Sequence, residues 1–340
     1  AYQSHPGDDG GGAVRIEASG RVRIDGQVSA NGLPNVGDPN AGAGGAGGSI
    51  WISCLTFTGS GRVQAAGNDG APDHHRSAAG GGGRIAIIYS PAAQAGETTP
   101  TTALNAAGGK AGISYTHWES RPARGESGTI YLSDTNFYPR PAMEGGQLVV
   151  PGLTSWSAAS LTISNGVLAF PSNTTVSITG DLACVSSGGI ELTNSTLNVG
   201  GNFQAGNDTW CATFLRGGAS GSFSVTGNVT VSAGWIELQG GPGNGTPFLG
   251  GDLTLTNGGQ MYVFGGATNS PSVDYGILVS LAGDVRVASN SWIYPYSHSE
   301  NGGSPRLHMR NLFLAPGGGL DADNRGFRGA SSLSEGGWGP

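Results

Sequence analysis

The feature that most constrains this chain is a short motif that returns at the length of one coil. In the second half, a Gly-Asp/Asn step followed by an alternating strand recurs as Gly180-Asp181-Leu182, Gly201-Asn202-Phe203, Gly227-Asn228-Val229, Gly251-Asp252-Leu253 and Gly283-Asp284-Val285, at intervals of 21, 26, 24 and 32 residues. Each copy opens a strand with period-two alternation, such as residues 228–232 or 252–256, and runs into a turn rich in Gly and Asn. Short strands, a repeat near 24 residues and no intervening helical pattern predict coils that stack in parallel at ~4.8 Å. A β-sandwich would place turn signals every ~8–12 residues and would not repeat one motif at coil length.

The first half repeats differently. Gly-Gly steps open strands at Ala13, Ser49 and Arg84, spaced by 36 and 35 residues, with a weaker copy at Thr129. A second motif, residues 26–32 and again 61–67, precedes long glycine loops at 33–47 and 68–82. The unit therefore reads as strand, short turn, strand, long glycine loop. Glycine before a strand permits close backbone approach at a tight corner.

Glycine makes up 64 of the 340 residues, while charged residues are only 11% against a usual ~25%. Disorder is argued against by the 37% hydrophobic content arranged in alternating runs. Collagen would need Gly at every third position with abundant Pro, and helix is disfavoured by glycine and β-branched residues. The formal charge of -7 argues against nucleic acid as a partner. The longest apolar runs, such as residues 85–89, fall far short of the ~18 residues of a membrane span.

The expected fold is all-β, a parallel β-helix (β-solenoid) with a right-handed coil. Residues 1–138 form loop-bearing coils with an irregular excursion at 91–127, residues 139–314 form plainer coils, and residues 315–340 form a Gly-rich C-terminal segment. The chain begins at Ala1 without Met, which suggests a processed chain or an excised fragment. The tail stops where another Gly-Gly strand is due, and residues 1–12 resemble the second half of a glycine loop. Joining Pro340 to Ala1 would restore one period, so Ala1, Tyr2, Trp338 and Pro340 are candidates for a junction between subunits. The alternative is a domain trimmed inside a loop.

The segments Gly-Gly-Ser-Ile-Trp-Ile and Gly-Gly-Gly-Gly-Arg-Ile-Ala-Ile-Ile-Tyr, their Ala-Asn-Gly and Ala-Ala-Gly turns and the later Gly-Asp/Asn strands resemble secreted Gly-rich parallel β-helix proteins of the bacterial surface and adhesin type. The resemblance covers most of the chain. That superfamily also includes pectate-lyase-like and glycoside-hydrolase enzymes, and the fold does not choose among them. No enzyme-family signature accompanies it.

Several residues carry candidate chemistry. His117, Glu119, Arg121 and Arg124 lie in the excursion and supply the types a lyase of acidic sugars needs, a cation for the carboxylate and a base for the α-proton; a packed, ion-paired loop is the plainer reading. His74 and His75 sit in a glycine loop, where a solvated position outweighs metal binding. Trp292, Tyr294 and Tyr296 share one strand face, either outward as a surface for sugars or a partner, or inward as core. Glu191 and Glu237, two coils apart, form a possible glycosidase pair near 10 Å.

Asp8, Asp9, Asp69, Asp321 and Asp323 stand in acidic turns that offer oxygen ligands to Ca²⁺, although turn formation explains them as well. No other cofactor is expected. Cys184 and Cys211, nearly one repeat apart, are either a disulfide or, with Cys54, buried thiols. Sparse charge and abundant Asn, Ser and Thr lean extracellular. The expected role is a structural subunit of a fibre, sheath or adhesin that pairs end to end with itself. The competing expectations are a polysaccharide lyase or glycoside hydrolase, and a carbohydrate-binding module.

Overall fold

The computed structural model describes residues 8–33, 43–71, 78–111, 124–135, 142–216, 222–240, 247–268 and 275–328. Its strands pair in parallel, in the register the repeats imply, and the fold is a parallel β-helix. Two compact units divide the chain. One holds Ala1–Leu153 with Ile163–Phe170, and the other holds Thr154–Thr162 with Pro171–Pro340. The division follows the proline-marked stretch 139–151 and does not precede it, because strand Ala142–Val149 pairs with Thr129–Leu132 and so belongs to the first unit.

In the first unit the Gly-Gly strands form one column. Ala13–Glu17, Ser49–Ser53, Arg84–Ile88 and Thr129–Leu132 stack with Ala13, Ser49, Arg84 and Thr129 in register. Their alternation sends Ile50, Ile52, Ile85, Ile87, Ile130 and Leu132 inward, each at most 1% exposed. Burying a side chain of this size contributes about 1.5–3 kcal/mol. The motif at 26–32 and 61–67 supplies strands Gln27–Ser29 and Arg62–Gln64, in another column.

The first two coils also have a middle strand that the two-strand unit did not anticipate, Arg21–Arg23 paired with Thr56–Thr58. In the next coil a single helical turn, Pro91–Gln94, stands in its place, capped by Ser90 and started by Pro91. This turn leaves the edge of Thr56–Thr58 to be satisfied, and Gln94 does it. Its carboxamide accepts from Phe57 N–H (2.8 Å) and donates to Phe57 C=O (3.0 Å), as a strand's peptide group would. Strand Ala103–Asn105 then pairs with Arg62–Gln64. The stretch 91–127 is thus part of the coil over its described residues, and Ala-Leu-Asn was too short to signal it.

The described parts of the long glycine loops are built into the unit mainly by backbone bonds. Segments leaving the coil stack on one another, Gly32 N–H on Ala66 O (3.0 Å) and Gly67 N–H on Ala107 O (2.8 Å). Returning segments stack likewise, with Gly11 N–H on Ala46 O, Gly47 N–H on Gly81 O and Gly82 N–H on Glu126 O, each 2.8 Å. The two stacks are joined by Gly48, Gly83 and Gly128 donating to Ala30, Ala65 and Ala106, each at 2.7 Å. Such backbone-on-backbone packing requires glycine. A Cβ on Gly83 would stand on the Gly48 carbonyl oxygen, and one on Gly128 on that of Gly83.

The second unit has three strand columns among its described residues, and a smaller glycine cluster in which an added Cβ on Gly265, Gly276 or Gly303 would meet a neighbouring glycine carbonyl. Thr175–Ile178, Leu182–Cys184 and Gly189–Thr193 make one coil, and Thr196–Val199, Phe203–Ala205 and Ala212–Arg216 the next, in register. The Gly-Asp/Asn steps stack at one corner as a ladder. Asp181, Asn202, Asn228 and Asp252 each accept, through a side-chain oxygen, the N–H of the Asp or Asn one coil on, at 2.7–3.0 Å. Several corners turn on Asn with positive φ, such as Asn194 (51°) and Asn257 (54°).

Candidate functional site

The last described coil of the second unit consists of Pro305–His308, Leu312–Leu314 and Gly319–Leu320, paired with Ile277–Leu281, Val285–Val287 and Trp292–Tyr296. Leu312, Leu314 and Leu320 occupy inward positions, in register with Val285, Val287 and Ile293. Those partners are 1% exposed, whereas Leu312, Leu314 and Leu320 are 43%, 48% and 38% exposed. The core column therefore continues to this coil and is uncovered there by the described residues.

The first described coil of the first unit behaves in the same way. Val14, Ile16, Val22 and Val28 are half-buried, while Ile50, Ile52, Phe57 and Val63, in register with them, are at most 1% exposed. Apolar side chains and the peptide groups of a strand edge thus lie together at both coils. A strand edge of this kind is a template for pairing.

Charge is concentrated beside the last coil. Arg310 Nε donates to Asp284 (2.7 Å), Asn311 donates to the same oxygen (2.9 Å), and Arg286 bridges Asp284 and Asp252. The Arg310 bond, then that of Asn311, holds the Asp284 carboxyl down to about 2. Asp252 is lowered as well, first by the Asp284 N–H and then by Arg286. These groups extend the Asp/Asn ladder, and all their charge is spent within it.

The aromatic face resolves into a ladder. Ile293 points inward at 1% exposure, so Trp292, Tyr294 and Tyr296 stand on the outer face. Yet their ring faces are used by neighbours. Tyr294 stacks on Tyr262 at 5.0 Å, Tyr296 on Phe264 at 4.4 Å, and Trp235 meets Phe214 edge-on at 4.7 Å. Arg325, 4% exposed, lies over Tyr294 (4.6 Å) and Tyr296 (5.0 Å) and closes the row. Nothing in the sequence spacing signalled Arg325, which reaches the rings from beyond the last strand.

Other sequence candidates fall as follows. His74, His75, His117, Glu119, Arg121, Ala1, Tyr2, Trp338 and Pro340 lie outside the described residues. Arg124 forms an isolated antiparallel bridge with Lys110. Glu191 and Glu237 do share a column two rungs apart, but Phe214 occupies the rung between them.

Two of the acidic turns are used locally, whereas one carboxylate oxygen of Asp8 is buried without a hydrogen-bond partner among the described residues. Asp69 accepts the Lys110 N–H (2.7 Å), and Asp321 accepts the Asp323 N–H (2.9 Å) and lies 3.5 Å from Arg325. Among the described residues no group of three or more His, Cys, Asp or Glu is placed to hold a metal ion, and no helix is long and apolar enough to cross a membrane. All three cysteines are free and buried, which decides against the Cys184–Cys211 disulfide. Burial pushes the Cys184 thiol up to about 12.

No protein-family model, no curated protein and no solved structure matches the chain.

Proposed function

We propose that this chain is an extracellular structural subunit, of a surface fibre, sheath or adhesin, that associates head to tail through its open coils. The observation that carries this reading is the exposure of Leu312, Leu314 and Leu320 directly above a fully buried column. A further coil would cover them, and a second copy supplies one in its first described coil, where Val14, Ile16, Val22 and Val28 are themselves only half-buried. Each leucine gains on the order of 1 kcal/mol from such cover.

Strand polarity supports head-to-tail contact over head-to-head. A parallel ladder is extended only by joining the leading edge of one copy to the trailing edge of another, and two identical edges would pair antiparallel. The low charge content of the chain is consistent with an extracellular surface role.

The test is electron microscopy and light scattering of the whole chain over a concentration series, beside Leu312→Glu and Leu314→Glu. Filaments of uniform width that grow with concentration, and that shorten in both variants with unchanged circular dichroism, are expected. Single particles at every concentration would overturn the assignment.

A further inference from the structure

The second unit carries a surface that neither the open coil edge nor the aromatic row uses. Strands Ser155–Ala158, Thr175–Ile178, Thr196–Val199 and Ser222–Val225 stack in one column and pair position for position. Their cores read Ser-Trp-Ser (155–157), Thr-Val-Ser (175–177), Thr-Leu-Asn (196–198) and Ser-Phe-Ser (222–224). Trp156, Val176, Leu197 and Phe223 point inward, each at most 5% exposed. The flanking residues therefore form two outward ranks across four coils, all of them exposed or half-buried.

Every position of this grid is a hydroxyl except Asn198. Parallel pairing sets neighbours within a rank at ~4.8 Å, and the two ranks stand ~6.7 Å apart along the strands. Thr179 and Thr226, exposed and two residues beyond Ser177 and Ser224, carry the pattern outward. The ranks are tied internally, since Ser222 Oγ donates to Thr196 Oγ1 (3.3 Å) and Ser224 Oγ donates to Asn198 Oδ1 (2.8 Å). No Asp, Glu, Lys or Arg occurs in residues 153–162, 172–179, 194–200 or 222–227, where an ordinary surface would be about 25–35% charged. Outward positions of the other columns do carry charge, as at Glu191 and Arg286.

A rigid, neutral grid of hydroxyls narrows the choice of partner. An ion or polyanion needs countercharge, and the face has none. A sugar polymer is gripped by aromatic faces, but the two rings of these strands, Trp156 and Phe223, point inward. A second protein surface would gain little, because the face offers no large apolar side chain and covering a hydroxyl costs free energy unless it finds a bond. A crystalline water surface meets all these conditions. It is uncharged, it offers a donor and an acceptor at each oxygen, and the oxygens on the prism face of ice repeat at spacings close to those of the grid in both directions.

We infer that this face adsorbs to ice, with the two ranks of side-chain oxygens standing in for water oxygens of the crystal surface. Adsorbed molecules pin the growing front, which lowers the freezing temperature without moving the melting temperature. The face does not include the last described coil, so adsorption is independent of head-to-tail assembly.

Nanolitre osmometry and microscopy of single ice crystals in solutions of the whole chain test it. Faceted crystals and a gap between melting and freezing temperatures that widens with protein concentration are expected. Thr196→Tyr sets a ring in the middle of the grid and should abolish both effects with unchanged circular dichroism, and Ser177→Lys should narrow the gap severalfold. Thr254→Tyr, at an outward position of another column, should leave the gap as it is. Round, unfaceted crystals with no gap at millimolar protein, an undiminished gap in Thr196→Tyr, or an equal loss in Thr254→Tyr would each overturn the inference.

Discussion

The two units solve one problem in opposite ways. A coil must hold its corners to the coil below, and the first unit relies mainly on glycine backbone to do so, the second mainly on side chains. In the first, glycine segments stack backbone on backbone, with Gly48, Gly83 and Gly128 each donating 2.7 Å bonds between the two stacks. In the second, side-chain oxygens of Asp181, Asn202, Asn228 and Asp252 reach the next rung, and aromatic rings stack outside the coil. The glycine solution tolerates no added Cβ at Gly48, Gly83 or Gly128, where the obstructing atoms are backbone. In the side-chain solution each rung hands one bond to the next.

This contrast breaks most readily at a glycine. Gly83→Ala should cost upwards of about 3 kcal/mol, because the obstructing atoms are backbone and cannot rotate away. Gly26→Ala, with nothing near its added Cβ, should be neutral or stabilise by about 0.5 kcal/mol. Urea unfolding of the two variants compares them, and equal midpoints would mean that the bundle yields.

Next in size is Gln94→Leu, which keeps much of the bulk but removes the carboxamide that bonds the Phe57 N–H and C=O. A loss of about 3 kcal/mol is expected for the two buried hydrogen bonds, at about 1–3 kcal/mol each. A cost below about 1 kcal/mol in thermal unfolding would show that water replaces the carboxamide.

A single rung of the second unit should matter less. Asn228→Ala removes the acceptor of the Asp252 N–H and should cost about 1 kcal/mol. Asn202→Ala combined with Asn228→Ala should depart from additivity, as neighbouring rungs share a ladder. Strict additivity in a double-mutant cycle would make the rungs independent caps.

The smallest effect is on pH. The Asp284 carboxyl is lowered to about 2, so its contribution to the folded state is fully present above the ordinary aspartate value of ~3.9 and is lost as pH falls toward 2. Asp25 in the first unit is also lowered, first by Arg23 and then by the Ser60 N–H, so both units should lose stability in that direction. Asp284→Asn should flatten the acid limb of the second unit only, as read by amide hydrogen exchange. An unchanged limb would remove Asp284 as its source.

Much of the coil was legible in the sequence. The strand openings at Ala13, Ser49, Arg84 and Thr129 fall in one register, and every Gly-Asp/Asn step from Gly180 to Gly283 lies at the ladder corner. These features repeat, and a repeat is visible without coordinates. What did not repeat was missed. The middle strand Thr56–Thr58 is only three residues long, and the turn Pro91–Gln94 replaces a strand once. The side chain of Gln94 works on a residue 37 positions back, and that of Arg325 reaches the Tyr294 and Tyr296 rings from beyond the last strand.

The candidate sites were less legible for the same reason. Spacing placed Trp292, Tyr294 and Tyr296 on one face and Glu191 and Glu237 in one column. It carried no information on whether ring faces were free or on the Phe214 rung between the carboxylates.

The sequence by itself determined that this chain coils in parallel, because period-two alternation and a glycine step recurring at coil length have one economical packing. Only the tertiary structure decided which inward positions are covered among the described residues. The exposure of Leu312, Leu314 and Leu320 above the buried Val285, Val287 and Ile293 depends on contacts between coils distant in sequence, which a local pattern does not encode.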